Sequence, residues 1–326
     1  MAAGADRRHR AIGRAASLLG LTALLAVAAP AIASAQRPSC FGQRATIVGN
    51  SHGNRIIGSG GKDVIVGLGG DDVIISNGGR DVICGGPGDD RIQGGSHPSR
   101  LKRDDPSVLI GGPGDDYIDG GFNDDFIVGD NANLSGDAIG QVGKDFLEGE
   151  FGDDHVVGDN YSNFNASGGV HDKIRGQRGD DSFVGDSEVT GDGTATGGGN
   201  DHFEGSSDTD FEVGDSYSPY GQAIGGGDDE INAGPANDLI IGDSYTKTGF
   251  AKGSGVDQLH SLQGNDTAYG DDYAADPQGE TSGGAHDFIG GSAGDDHLHG
   301  GPEHDTCNGG PDTDTASQCE YVLEVP

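Results

Sequence analysis

Aspartate recurs every nine residues between Gly58 and Gly95, where four consecutive segments read GSGGKDVIV, GLGGDDVII, SNGGRDVIC and GGPGDDRIQ. Each nonapeptide has a glycine-rich half, an Asp at its sixth place and an aliphatic residue at its eighth place. Such a short period indicates a solenoid, because each turn buries its apolar side chain only when the next turn stacks on it. Stacking places the aspartates in rows at the strand spacing of about 4.8 Å.

Rows of carboxylates at this spacing oppose folding unless cations lie between them. Two carboxylates about 5 Å apart repel each other by about 3 kcal/mol at an effective dielectric constant of 20. Calcium suits the sequence, because it accepts six to eight oxygens from carboxylates and backbone carbonyls. Zinc would prefer His and Cys, and magnesium would keep several of its waters. Calcium binding would then contribute directly to the free energy of folding.

The repeats continue along most of the chain. The turn that starts at Gly49 has Asn54 at its sixth place and is predicted to be a cap without a complete site. Plain nonapeptides occupy 36–97, and residues 98–106 are predicted to form an insertion loop. Repeats resume over 107–317, and 318–326 is predicted to be a C-terminal cap. From about residue 130 the unit lengthens to 27–29 residues, with a Gly-Asp pair, a polar loop and two nonapeptides.

Two sets of aspartates are candidate calcium ligands. The first set occupies the sixth places: Asp63, Asp72, Asp81, Asp90, Asp116, Asp125, Asp145, Asp154, Asp172, Asp181, Asp201, Asp210, Asp229, Asp238, Asp257, Asp266, Asp287, Asp296, Asp305 and Asp314. The second set ends the Gly-Asp pairs: Asp130, Asp159, Asp186, Asp215, Asp243 and Asp271. These six residues complete the calcium sites, bind a second line of ions or begin solvated loops.

The eighth-place residues are predicted to form the core, one side chain per turn. They are Ile65, Ile74, Ile83, Ile92, Leu109, Ile118, Ile127, Leu147, Val156, Ile174, Phe183, Phe203, Ile231, Ile240, Leu259, Ile289 and Leu298. Glu212 and Ala268 interrupt this ladder, and the sequence offers no reason for Glu212.

The residue that follows the eighth place is mostly apolar in the second turn of each long unit, as Val157 is. The polar loops are therefore expected to fold back over this side of the stack, through Tyr161, Tyr217, Tyr245 and Tyr273. The alternative is that the loops are mobile and that these apolar residues are singly exposed.

Composition limits the range of partners. The 326 residues include 64 Gly and no Trp, and the formal net charge is −35. Nucleic acid and anionic membranes are unsuitable partners, because both require Lys and Arg to neutralise phosphate. Calcium ions are the predicted partners, and a protein or surface partner remains open.

Residues 1–35 have the pattern of a cleavable secretory signal peptide. Arg7, Arg8, Arg10 and Arg14 precede an apolar run at 15–29, and Ala-Ser-Ala follows at 33–35. Cleavage is predicted after Ala35, which gives a secreted, extracellular chain with no membrane span. An uncleaved anchor is the alternative, although the run is shorter than the ~20 residues of a spanning helix.

Four cysteines allow three disulfide pairings. Pairing Cys40 with Cys84 and Cys307 with Cys319 is favoured, because it would staple the two ends of the stack. End turns have a neighbour on one side only, and each bridge would contribute about 2–4 kcal/mol. Free structural thiols are the alternative.

The pattern GGxGxDxUx, with U aliphatic, resembles the RTX (hemolysin-type) calcium-binding repeat family. The best matches are 85–93, 111–119, 149–157, 176–184 and 291–299, whereas Ala233 and Ser261 replace the first glycine of their turns. The resemblance implies an all-β fold, a parallel β-roll or β-solenoid of stacked nonapeptide turns with polar loop insertions. It also implies several calcium ions, held by the sixth-place aspartates and by carbonyl oxygens of the glycine turns.

The sequence favours a calcium-binding repeat protein without enzymatic activity. Two GxSxG matches, at 49–53 and 290–294, coincide with repeat turns and lack the strand-to-helix context of a nucleophile elbow. The alternative is a calcium-stabilised adhesin or an extracellular structural module, and a hydrolase accessory is less favoured. Adhesion is suggested by apolar columns predicted to be exposed on the N-terminal turns: Val64, Val66, Val73, Ile75 and Val82.

Overall fold

The computed structural model describes residues 37–95 and 106–325, and every regular element in these ranges is a β-strand. The predicted signal peptide at 1–35, and the predicted insertion loop at 98–106 except for Pro106, lie outside the described residues. Within the described residues, no helix is long and apolar enough to cross a membrane.

Two parallel sheets of twelve strands each form the roll. Sheet I contains Ile47–Asn50, Val64–Leu68, Val82–Cys84, Val108–Ile110, Phe126–Val128, His155–Val157, Ser182–Val184, Phe211–Val213, Leu239–Ile241, Thr267–Tyr269, His297–His299 and Thr315–Ser317. Sheet II contains Arg55–Ile57, Val73–Ile75, Arg91–Gln93, Tyr117–Phe122, Phe146–Phe151, Lys173–Arg178, His202–Ser206, Glu230–Asn232, Gln258–His260, Phe288–Gly290, Thr306–Asn308 and Tyr321–Leu323. The chain alternates between the sheets, so each coil adds one strand to each, which confirms the predicted parallel β-roll.

The eighth-place residues form the predicted core. Parallel pairing aligns them from coil to coil, as Ile65 aligns with Ile83 in sheet I and Ile74 with Ile92 in sheet II. All seventeen predicted ladder residues are fully or almost fully buried between the sheets. Strands of three residues suffice, because only the middle side chain points into the roll. The core extends to Ile56 at one end and to Cys307 at the other.

The polar loops of the long units are ordered and stack in register with the roll. They form a second layer of short parallel strands, which we call the outer lobe. One side of the lobe contains Ala132–Asn133, Tyr161–Ser162 and Glu188–Val189, and continues to Tyr245–Thr246 and Tyr273–Ala274 through bridges at Tyr217. The other side contains Ala138–Ile139, Ala166–Ser167, Thr194–Thr196, Gln222–Ile224, Phe250–Lys252 and Glu280–Thr281.

The outer lobe covers the apolar side of sheet I, as predicted. Val157 and Val213 are fully buried beneath it. Tyr217, Tyr245 and Tyr273 stack on one another, with ring centroids 5.2 and 5.7 Å apart, and pack against Val213. Mobile loops over singly exposed valines are therefore the wrong alternative.

The predicted exposure of the N-terminal apolar columns is wrong. Ser39–Cys40 and Gln43–Arg44 form an antiparallel hairpin that packs on sheet I. Val64, Val66 and Val82 are buried beneath it, while Val73 and Ile75, on sheet II, are half-buried. The hairpin precedes the first repeat and has no nine-residue period, so the pattern gave no indication of this cover.

Both favoured disulfides are present. Cys40 is bonded to Cys84 and thereby fastens the hairpin to sheet I, and Cys307 is bonded to Cys319 near the C-terminal end. The segment predicted as a C-terminal cap contributes the last strand of sheet II, Tyr321–Leu323. Each end of the roll is thus fastened by a covalent bond.

We predict that Tyr245→Ser destabilises the calcium-loaded protein by about 3 kcal/mol, because the substitution removes a buried aromatic ring from the junction of lobe and roll. Thermal unfolding in excess calcium measures this effect. Tyr220→Ser is the matched control, since Tyr220 lies in the loop of the preceding coil but is 59% exposed. Equal losses of stability in the two variants would contradict the role assigned to the tyrosine stack.

Candidate metal centre

The sixth-place residues lie in two rows, one along each edge of the roll, each immediately before a strand. Row I precedes sheet I and consists of Thr46, Asp63, Asp81, Ser107, Asp125, Asp154, Asp181, Asp210, Asp238, Asp266, Asp296 and Asp314. Row II precedes sheet II and consists of Asn54, Asp72, Asp90, Asp116, Asp145, Asp172, Asp201, Asp229, Asp257, Asp287, Asp305 and Glu320. All twenty predicted sixth-place aspartates thus fall into these rows, and all are buried.

Three members of the rows were not recognised in the sequence, because none of them is an aspartate. Ser107 donates its backbone N–H to Oδ1 of Asp125 at 2.6 Å, as an aspartate of the row does. The backbone N–H of Asp305 is bonded to Oε2 of Glu320 at 2.9 Å, and Thr46 contacts Asp63 at the other end. Their positions, directly before a strand of each sheet, would have identified them once the strand register was known.

One carboxylate oxygen of each aspartate in rows I and II accepts a hydrogen bond from a backbone N–H. The N–H of Asp154 donates to Oδ1 of Asp181 at 2.8 Å, and the N–H of Asp172 donates to Oδ1 of Asp201 at 2.6 Å. The same bond recurs from coil to coil along both rows, including that from the cap residue Asn54 to Asp72. These bonds fix the orientation of each carboxylate.

The second oxygen, Oδ2, accepts no hydrogen bond in most members of the rows. This holds for Asp72, Asp90, Asp116, Asp145, Asp154, Asp172, Asp181, Asp201, Asp229, Asp238, Asp257, Asp266, Asp287, Asp296, Asp305 and Asp314. A buried carboxylate oxygen without a partner is costly, whereas a bound cation satisfies it.

In most turns the first residue is a glycine that faces this free oxygen. A β-carbon on Gly158 would overlap both Oδ2 of Asp172 and the carbonyl oxygen of Gly185 in the next coil. The same overlap would occur at Gly111, with Asp116 and Gly129. Each such glycine therefore borders a space lined by a carboxylate oxygen and a carbonyl oxygen, which are the ligands that calcium prefers.

The aspartates of the Gly-Asp pairs form a third row beside row II. We call Asp130, Asp159, Asp186, Asp215, Asp243 and Asp271 row III, and all six are buried at the junction of roll and outer lobe. The N–H of Gly199 donates to Asp186 at 2.9 Å, and the N–H of Gly227 donates to Asp215 at 3.1 Å. Solvated loop-start aspartates are therefore the wrong alternative, because the outer lobe covers them.

Burial and mutual repulsion dominate the electrostatics of the rows. Burial, reinforced by neighbouring carboxylates, raises the pKa of Asp116 to about 10 and that of Asp154 to about 9. Burial raises the pKa of Asp201 and Asp229 well above the usual range, and row III carboxylates add to the effect, as Asp186 does on Asp201. Burial therefore favours the protonated form of these carboxyls unless a cation lies beside them.

The donor set suits calcium better than zinc. Within the described residues, no group of three or more His, Cys, Asp or Glu side chains forms a metal cluster. Calcium does not need one, because backbone carbonyls and water complete its coordination shell. The two GxSxG serines, Ser51 and Ser292, lie in turns followed by strands, so neither has the helix of a nucleophile elbow.

The parallel β-roll and its aspartate rows define a calcium-binding repeat protein. The sequence profile of the RTX calcium-binding nonapeptide repeat (4 copies) matches residues 48–83, 77–97, 106–133, 138–160, 225–244, 253–272 and 281–316. These segments cover more than half of the chain, which therefore belongs to the RTX calcium-binding nonapeptide repeat family. No curated protein matches the sequence.

We predict that the calcium-free protein retains more structure at pH 5 than at pH 8. The raised pKa values mean that the folded state is favoured while its carboxyls are protonated, and that this stability is lost as the pH rises through the folded-state values. Those values are about 6 for Asp210, about 7 for Asp90 and about 8 for Asp181.

Circular dichroism of protein stripped of divalent ions, recorded from pH 4.5 to pH 8, measures this loss. With excess calcium the dependence should reverse, since protons then compete with the ion for the same oxygens. Identical pH profiles with and without calcium would contradict the assignment of the rows to ion binding.

Proposed function

We propose that the protein is secreted and that its β-roll folds when calcium ions bind between its coils, with the aspartates of rows I, II and III as ligands. The observation that carries the proposal is that the two carboxylate oxygens have different partners in most aspartates of rows I and II. One oxygen holds the neighbouring coil through its N–H, while the other is buried beside a carbonyl oxygen and accepts no hydrogen bond. An ion at that point would bind adjacent coils together.

Coupling to folding follows from the charges. Without ions, each row brings carboxylates together at the strand spacing, and row III adds six further carboxylates beside row II. Each added coil therefore increases the repulsion unless it also brings a cation. Sites between coils exist only when the coils are stacked, so the free energy of binding contributes to folding.

We predict that the calcium-free chain is largely unfolded at pH 7.5 and gains β-structure at millimolar calcium. Circular dichroism in chelator, and then in calcium, measures the transition. Unchanged spectra would rule out calcium-coupled folding, and calorimetric titration without heat of binding would rule out calcium as the ligand.

We predict that replacing Asp154 and Asp181 by Asn raises the calcium concentration at the folding midpoint at least about tenfold, because each site loses a charged ligand. Asn keeps the Oδ1 that the neighbouring N–H requires. The matched control replaces Asp153 and Asp180, which are exposed and also accept an N–H through Oδ1. Equal midpoints in the two double variants would remove row I from the proposal.

Row III is tested separately, by replacing Asp186 and Asp215 with Asn. We expect fewer bound ions by native mass spectrometry and a weaker attachment of the outer lobe, measured as faster amide exchange in the lobe. Asp192→Asn is the control, since Asp192 is an exposed residue of the lobe. Unchanged ion numbers would leave row III with a structural role only.

Secretion rests on the pattern of residues 1–35, and calcium at extracellular concentration would then drive folding after export. Expression of the full chain, followed by N-terminal sequencing of the released protein, tests the predicted cleavage after Ala35. The apolar columns that the sequence predicted to be exposed are covered or half-buried. The structure therefore gives a role as an adhesin no separate support.

A further inference from the structure

Glu212 stands in the core ladder, where the other coils of sheet I have an apolar side chain. Parallel pairing aligns it with Phe183 in the preceding coil and with Ile240 in the following coil. The residue is fully buried, and neither oxygen of its carboxylate accepts a hydrogen bond. A charged group in this position requires a partner, because burial without one is strongly unfavourable.

The turn that contains Glu212 differs from its neighbours in how it uses the row I aspartate. Ser206 stands at the second place, where the repeat has glycine, and its N–H donates to Oδ2 of Asp210 at 2.7 Å. Its hydroxyl lies 2.9 Å from the carbonyl oxygen of Gly179 and 3.2 Å from Oδ1 of Asp210, and the N–H of Asp181 donates to Oδ1 at 2.9 Å. Both oxygens of Asp210 are therefore engaged, unlike those of Asp154 and Asp181.

Near the first glycine of this turn, an oxygen of Glu212 lies where the preceding coils have Oδ2 of the row I aspartate. In the two preceding coils, a β-carbon on the first glycine of the turn, Gly149 or Gly176, would overlap Oδ2 of the row I aspartate. At Gly205 the corresponding side-chain atom is Oε1 of Glu212, at 2.8 Å. The eighth place can reach this point, since Cζ of Phe183 lies 2.7 Å from the same position on Gly176.

We infer that Glu212 replaces Asp210 as the carboxylate that faces the calcium ion in this coil of row I. The inference rests on the proposed function, since it takes row I as a line of calcium sites. It explains two departures from the repeat together. The N–H of Ser206 engages the oxygen of Asp210 that would face the ion, and Glu212 supplies a second carboxylate from the inward-facing eighth place.

Ser59 provides a comparison near the N-terminal end. Its N–H and hydroxyl donate to Oδ2 of Asp63 at 2.6 and 2.8 Å, so this aspartate is engaged in the same way. The eighth place of that turn is Ile65, which offers no oxygen. We therefore expect the coil of Asp63 to lack the full ligand set that Glu212 restores to the coil of Asp210.

The test compares Glu212→Ile, which restores the apolar ladder, with Glu212→Gln, which keeps the shape of the side chain. We expect each variant to bind one ion fewer by native mass spectrometry at limiting calcium, and to gain less thermal stability from calcium than the wild type does. Glu280→Gln, at an exposed position of the outer lobe, is the control for loss of one charge.

The decisive variant is Ser206→Gly combined with Glu212→Ile, which converts the turn to the ordinary repeat. Glycine at 206 lacks the hydroxyl and can adopt the positive φ that Glu150 and Gln177 have at the second place of the two preceding turns. Rotation of the 206 N–H away from Asp210 should then restore the ion that Glu212→Ile alone loses. If Glu212→Ile binds as many ions as the wild type, with the same affinity, Glu212 is a misfit of the core and the inference is wrong. A wild-type protein that binds no calcium would instead overturn the proposed function.

Discussion

Repulsion between like charges brought into register is the constraint on which the rest of the structure depends. Parallel stacking repeats every side chain at the strand spacing, so one aspartate per turn becomes a continuous buried row of carboxylates. The backbone satisfies one oxygen of each group, and the glycine at the start of the turn leaves room beside the other. The core contributes only about one side chain per coil from each sheet, so the fold relies on its edges more than a globular domain does.

The two edges of the roll are not equivalent. Along most of the long units, the edge of row II carries a second line of carboxylates and is covered by the outer lobe, whereas the edge of row I has one carboxylate per coil. The insertion of each loop into a turn of row II explains both differences, because the Gly-Asp pair begins the loop and is buried by it. The lobe and the extra carboxylates are therefore two results of one insertion.

The sequence predicted those features that follow from the period alone, namely the parallel roll, the ladder and the alignment of the aspartates. The hairpin at 39–44 was missed because it is formed by non-repeated residues that recognise a surface of the roll. Thr46, Ser107 and Glu320 were missed because their side chains break the chemical pattern while their backbones keep the register. The polar loops adopt an ordered conformation because they stack on the loops of neighbouring coils. The sequence of a single loop does not reveal this stacking.

The Cys40–Cys84 bond gives assembly a starting point. It joins the hairpin to the third strand of sheet I, so the first coils are held together by a covalent bond. Beyond it, each strand pairs mainly with the coil before and the coil after, and the order of coils in space is their order in the chain. The disulfide-linked first coils can thus act as a template for the coils that follow. The roll would then grow by addition of successive coils, in the direction in which the polypeptide is synthesised.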